Sequence, residues 1–277
     1  MPSLTDYSTQ KPIKMLNVGD SGKGKTGALA SLAKAGFNLR ILDYDNGLGI
    51  LAELLKSDPA AAARIHFESC LDNYTSVGGK ILTKGIPTAF TKGLSLLTHW
   101  KTKDGVDLGP VSSWTKKDVL VIDTLTHLSN SALIYVLAIN NRSGEHPWQS
   151  DWGQAMDMVE GTLKLLYSDN IKCHVIVNAH ITFVGEELDK TGKVIKPGTP
   201  HPNTLGKKLP PKVGQYFNTM LQCDTTGYGS TLRRIIRTQP TGDLGIKCEI
   251  LGVPKELPLE SGLAEFFKLA NQLPKGD

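Results

Sequence analysis

Apolar residues in this chain fall into short solid runs, separated by stretches where they recur every three or four positions. Ile13, Met15, Leu16 and Val18 make the first run. Ala28, Leu29, Leu32 and Ala33 follow at helical spacing and stop at Gly36, where a helix C-cap is expected. Residues 39–45 (LRILDYD) form a second run that ends in acids, and Asn46-Gly47 then turns the chain. Residues 48–56 return to helical spacing, Asp58-Pro59 breaks it, and Ile65-His66-Phe67 predicts a short third strand. Two more solid runs occupy 118–123 and 173–180, closing on Asp123 and His180. Helical stripes lie between and before them. One begins at 127 and dissolves into a polar segment by 140–147, and another carries Trp152, Met156, Val159, Leu163 and Leu166. Solid apolar strands alternating with helices predict an α/β fold with a mostly parallel central sheet. The last third changes character: 220–223, 232–238 and 245–251 read as strands of an antiparallel β extension, with a turn around 241–243. Residues 257–273 read as an amphipathic helix.

Between the first strand and the first helix stands Gly19-Asp20-Ser21-Gly22-Lys23-Gly24-Lys25-Thr26, followed by Gly27. It fits G-x-x-x-x-G-K-[ST], the phosphate-cradling loop, and it has the strand-loop-helix context the chemistry requires. The glycines let backbone N–H groups turn toward phosphate oxygens, and the helix N-terminus adds positive dipole. In this pattern Lys25 reaches the β- and γ-phosphates and Thr26 holds Mg²⁺, so ATP and Mg²⁺ are the expected ligands. Asp123, closing a buried strand beyond such a loop, is the expected second Mg²⁺-side group. His180 falls at the C-terminal edge of its strand, where open parallel sheets place ligands, although a structural histidine fits that spacing equally well.

Composition narrows the class without naming a partner. The 277 residues are 40% hydrophobic and 21% charged, with a formal net charge of +4, as in a soluble globular protein. No apolar run approaches the roughly 20 residues of a bilayer span. The polar first residues lack the apolar core of a signal peptide. Cys70, Cys173, Cys223 and Cys248 are scattered, without C-x-x-C spacing, and read as reduced thiols of a cytoplasmic protein.

The distribution of charge says more than its sum. Residues 76–117 carry Lys80, Lys84, Lys92, Lys101, Lys103, Lys116 and Lys117 with Trp100 and Trp114 interleaved, against Asp104 and Asp107. Such a mixture either stacks on single-stranded nucleic acid or is a solvated basic insertion whose tryptophans pack locally. Residues 183–211 read as a long irregular loop, rich in Pro and Gly. From Lys190 to Lys212 there are six lysines and no acid. Lys190, Lys193, Lys196, Lys207 and Lys208 are therefore candidate DNA contacts.

The order of these pieces resembles the RecA-like ATPases, and more closely the phage-encoded RecA-like ATP-binding proteins of recombination and single-strand annealing. The resemblance covers roughly residues 12–255. It implies a RecA-like P-loop NTPase core, with Asp45 at the position of the family's catalytic glutamate, which orients the attacking water. It places Asp123 on Mg²⁺ and His180 where a polar residue senses the γ-phosphate. By the same resemblance 127–150 and 181–205 correspond to two DNA-contacting loops, and residues 204–207 lead into the helix behind the second. Lys247 stands near a lysine that reaches a neighbouring subunit's nucleotide. The expected partners are single-stranded DNA and further copies of the chain, in a ring or filament with nucleotide at the subunit interfaces. The expected organisation is a flexible lead-in over 1–12, an ATPase domain over 13–255 and a C-terminal helix over 256–277. An ATP-driven helicase or packaging motor and a non-catalytic ATP-switched binding module remain open as alternatives.

Overall fold

A computed structural model describes residues 11–102, 104–240, 242 and 244–274. The expected lead-in therefore falls largely outside the described residues, as do Lys103, Thr241 and Asp243 of the expected turn, and the last three positions. Where the lead-in is described it is fastened to the core: the Pro12 carbonyl accepts from Asn218 Nδ2 at 3.2 Å.

Strand β1 (Lys14–Val18) runs into the glycine loop and then helices α1 (Lys25–Ala28) and α2 (Ala30–Lys34), which end at Gly36 in the left-handed region. Strand β2 (Asn38–Asp43) stops at Asp43, so Asp45 lies in the following turn, where Asn46 has a positive φ. Helix α3 (Gly49–Leu54) comes next. Asp58 then starts a helix as well as ending one: its carboxylate caps α4 (Pro59–Ala62) by accepting from Ala61 N. Strand β3 (Ile65–Ser69) completes the first part of the sheet.

The segment expected as a basic insertion is built into the fold. It holds the hairpin β4 (Tyr74–Val77) and β5 (Lys80–Thr83), helix α5 (Ala89–Thr98), and the short pair β6 (Trp100–Lys101) and β7 (Asp107–Gly109). Phe90, Leu96, Leu97, Trp100, Val111 and Trp114 belong to the main core. The two tryptophans pack against each other at a tilt of 52°, with centroids 5.5 Å apart, and are buried, so neither offers a face to a nucleic-acid base.

Strand β8 (Asp118–Asp123), helices α6 (Leu125–Ile139) and α7 (Gln149–Tyr167) and strand β9 (His174–Ala179) follow the predicted pattern. The connection between α6 and α7 is pinned, because buried Asp151 takes an ion pair from Arg142 and a hydrogen bond from Asn140. Residues 183–211 were expected to be irregular, but the chain from 181 to 202 forms two antiparallel ladders. Strand β10 (Ile181–Val184) pairs with β13 (Thr199–Pro202), and β11 (Glu187–Leu188) pairs with β12 (Val194–Lys196). Prolines stand at the edges of this arm rather than inside a wide sheet, where they are tolerated. No α-helix follows residues 204–207; a 3₁₀ segment, Pro210–Tyr216, takes that place.

Strand β14 (Thr219–Thr226) is parallel to β1, whereas β15 (Arg233–Arg237) and β16 (Glu256–Pro258) are antiparallel additions. The segment expected as a strand over 245–251 makes only an isolated bridge, Met220 with Lys247. Helix α8 (Leu259–Leu269) closes the described chain. The eight-stranded sheet has the order β16-β15-β14-β1-β9-β8-β2-β3. The fold is α/β, with a mostly parallel central sheet and antiparallel strands at its C-terminal end. Alternate residues of β8 feed two cores: Leu120 and Ile122 pack under α5, α6 and α7, while Val119 and Val121 pack under α1, α2 and α8. That two-sided burial is why the strands read as solid apolar runs.

Candidate functional site

The site forms where β1, β8, β9 and β2 end along one edge of the sheet. Gly19 leaves β1 so close to β14 that a Cβ there would stand 2.6 Å from the Cys223 carbonyl oxygen. Gly24 sits at φ +94° immediately before α1, in the region open to glycine. These constraints wrap the loop around the Lys25 side chain. Lys25 Nζ donates to the carbonyls of Gly19 at 2.7 Å and Asp20 at 3.0 Å, and lies 3.4 Å from His180 Nδ1. Burial lowers the Lys25 pKa, against the pull of nearby Asp123, Asp45 and Asp20. Among the described residues no carboxylate forms an ion pair with this ammonium, an arrangement suited to receiving an anion.

Thr26 Oγ1 donates to Asp123 Oδ2 at 2.7 Å, and Asn178 Nδ2 donates to Asp123 Oδ1 at 3.1 Å. Burial raises the Asp123 pKa, against those two hydrogen bonds. The chain of contacts continues inward: Asn17 Nδ2 donates to Asn178 Oδ1 at 3.0 Å, and Cys223 Sγ donates to Asn17 Oδ1 at 3.2 Å. Asn17, Asn178, Asp123 and Asp43 occupy one register row across four adjacent strands. The Asp123–Thr124 peptide is cis.

A cleft of about 440 Å³ opens over these groups, lined by Lys25, Thr26, Asp45 and His180 among others. The expected catalytic and Mg²⁺-side residues are thus brought together. Asp45 Oδ1 lies 3.2 Å from His127 Nδ1, on the first turn of α6. The His127 and His180 rings stand edge to face, with centroids 6.1 Å apart. Burial and the Lys25 charge lower the His180 pKa. The residues fit a Mg²⁺–triphosphate: a hydroxyl and a carboxylate face the metal side, and an ammonium without an ion-paired carboxylate among the described residues faces the phosphates.

Other expected contacts fall elsewhere. Lys23 turns away from the cleft, to Asp224 Oδ1 at 3.2 Å and Thr225 Oγ1 at 2.8 Å. Lys190, Lys193 and Lys196 ride the β10–β13 arm, but Lys196 pairs with Glu187 at 3.0 Å. Lys207 and Lys208 lie apart from the arm, beside Trp152 and Met156 of α7. Lys247 is exposed and bridges Met220 near the start of β14.

Three contributors escaped sequence reasoning. Arg234 Nε donates to the Gly22 carbonyl at 3.2 Å and lines the cleft from β15. His127 engages Asp45, and Thr126 Oγ1 accepts from His180 N at 3.2 Å. Asn17 inside the apolar run of β1 and Asn178 inside that of β9 were the local signals for the amide half of the polar row. Nothing local marked Arg234 or His127.

Against known families, a model described as an AAA domain matches residues 11–244. The chain belongs to this AAA-domain family. It is an AAA-type P-loop NTPase domain, which agrees with the loop, cleft and Thr26–Asp123 pair just described. No curated protein matches it. Among solved structures it is similar to a KaiC-like protein of the archaeon Pyrococcus horikoshii OT3, at 10% identity over 89% of this chain and 84% of the other, with a TM-score of 0.44. It is also similar to the flagellar accessory protein FlaH of Methanocaldococcus jannaschii, at 9% identity, 82% and 78% coverage and a TM-score of 0.38. Among the described residues, no helix of this AAA domain is long and apolar enough to cross a membrane.

Proposed function

We propose that this AAA domain is a Mg²⁺-dependent ATPase that binds single-stranded DNA through the β10–β13 arm and acts in recombination or strand annealing. Further copies assemble around its nucleotide, where Lys247 reaches a neighbour's site. One observation supports the coupling above all. His180 lies 3.4 Å from Lys25, and its carbonyl accepts from Asn203 N at 2.7 Å at the foot of the arm. A γ-phosphate drawn onto Lys25 therefore competes with His180 for that ammonium, and the residue that answers is the hinge of the arm.

Hydrolysis on this reading is in-line attack of water on the γ-phosphate. Mg²⁺, when bound beside Thr26 and Asp123, supplies charge neutralisation across the β- and γ-phosphates. Lys25 and the loop N–H groups stabilise charge that grows on the transferred group. Asp45 orients the water. ATP turnover with and without single-stranded DNA, together with DNA affinity under ATP and under ADP, tests the proposal. DNA-stimulated turnover and nucleotide-dependent affinity are expected; equal DNA affinity in both nucleotide states would remove the coupling.

A second reading, an ATP-switched binding module without turnover, draws support from the engagement of Asp45 by His127 and from the short reach of aspartate. Turnover unchanged in Asp45→Ala would favour it.

A further inference from the structure

Three metal-ligating side chains from three different elements meet at the mouth of the cleft. Asp45 comes from the turn after β2, His127 from the first turn of α6, and His180 from the end of β9. One ligand atom from each lies within 4.8 Å of the others. We propose that Asp45, His127 and His180 form a site for a d-block divalent cation of the Zn²⁺ class, separate from the Thr26–Asp123 position, whose occupation arrests the ATPase.

The spacing suits such an ion. Zinc–nitrogen and zinc–oxygen bonds of about 2.0–2.2 Å put neighbouring tetrahedral ligand atoms roughly 3.3–3.5 Å apart. Asp45 Oδ1 and His127 Nδ1 are already 3.2 Å apart. That gap already matches the separation of two ligand atoms on one ion, and Thr124 Oγ1 lies 3.1 Å from the same His127 Nδ1. His180 must close by a little over 1 Å on this scale, which side-chain rotation in a partly exposed ring can supply. Its backbone is held for the purpose, since Thr126 Oγ1 accepts from its N–H and Asn203 N donates to its carbonyl.

Ligand chemistry separates this site from the Mg²⁺ position. Two imidazoles and one carboxylate with an open fourth place select zinc and its neighbours, whereas Mg²⁺ prefers carboxylates, phosphates and water. Lys25 is the opposing charge in contact with His180. With His180 Nδ1 on that ammonium, Nε2 is the nitrogen left for a metal. Asp45, Asp123 and Asp20 surround the same lysine, so the local balance of charge favours a cation. Occupation would take Asp45 off the water and fix the His180 ring, so that it could no longer re-pair when a phosphate draws Lys25 away. That arrest rests on the ATPase reading above; the binding itself rests on geometry alone.

The test begins with nucleotide-free protein, titrated with Zn²⁺ against a colorimetric chelator in excess Mg²⁺. One ion per chain at micromolar affinity or better is expected, and Co²⁺ should give the visible absorption of a four-coordinate site. His127→Ala and Asp45→Asn should each weaken Zn²⁺ by at least about 10-fold, while Thr26→Ala should not. Both substituted positions are partly exposed, and matching melting curves confirm that the variants fold. Wild-type affinity in both variants, or no stoichiometric ion, overturns the site. Turnover at buffered free Zn²⁺ should fall over the same concentration range in the parent and not in His127→Ala. Zinc bound stoichiometrically without loss of turnover overturns the arrest. Absence of turnover in zinc-free protein counts against the ATPase reading, and the chelator titration still decides the site.

Discussion

Lys25 Nζ and His180 Nδ1 stand 3.4 Å apart, though 155 residues separate them in the chain. The pair joins the phosphate loop to the foot of the β10–β13 arm, and burial acts on both partners in the same direction. Each is pushed toward its neutral form, mainly by desolvation. An arriving triphosphate reverses that penalty for Lys25 and leaves His180 free to re-pair.

Lys25→Ala should leave the fold intact and cut ATP turnover by about 100-fold or more, the cost typical of one lost transition-state charge contact. Nucleotide affinity should fall with it. Turnover at the parent rate in a folded variant would remove Lys25 from the phosphate site.

The two acids should separate in their effects. Asp45→Asn should bind ATP and lose hydrolysis, because the phosphates and the metal side are untouched. Asp123→Asn should raise the Mg²⁺ concentration needed for half-maximal turnover. Asp123 also carries a stability signature. Its folded pKa is raised, so folding is favoured below the ordinary carboxylate pKa, and that advantage is lost as pH rises through the folded value. At neutral pH without metal, Asp123→Asn should therefore melt higher than the parent. ATP with Mg²⁺ at about 100 times its Kd should stabilise the parent by roughly 2.7 kcal/mol and the variant by less. Differential scanning calorimetry reads both shifts.

His180 titrates in the opposite sense. Its folded pKa is lowered, so it contributes stability above the unfolded value that is lost as pH falls through the folded one. Protonation also sets a second cation against Lys25. His180→Gln keeps hydrogen bonding without that charge and should flatten the acid side of the melting profile. It should retain ATP binding while losing the difference in DNA affinity between ATP and ADP. A preserved difference would take His180 out of the coupling.

On the arm, Lys196 is already neutralised by Glu187, leaving Lys190 and Lys193 as its cations without a paired acid among the described residues. Single-stranded binding loses about 0.7 in the slope of log K against log salt for each phosphate contact removed. Replacing Lys190 and Lys193 with Ala should thus flatten the slope by roughly 1.4, and adding Lys196→Ala should change it little further. ATP binding should be unaffected. A parental slope in the double variant would exclude the arm as the DNA contact.

Much of this molecule was legible in one dimension. Strands buried on both faces must be apolar throughout, so β1, β2, β8 and β9 announced themselves. The phosphate loop did too, since its glycines and Lys25 answer to local backbone geometry. Asp123 and His180 could be placed because each ends a strand whose edge is the site. What required the fold was everything set by register and by chain segments remote in sequence. The row Asn17, Asn178, Asp123 and Asp43 exists only because four strands align at those positions. His127 meets Asp45, and Arg234 meets Gly22, through packing that carries no periodic signature in the sequence. The same holds for charge. From Lys190 onward the sequence reads as uncompensated lysine, but a hairpin places Glu187 across from Lys196, because pairing in a ladder follows strand register and not position along the chain. Trp100 and Trp114, equally suited in sequence to stacking on bases, were decided by burial against α5 and the sheet.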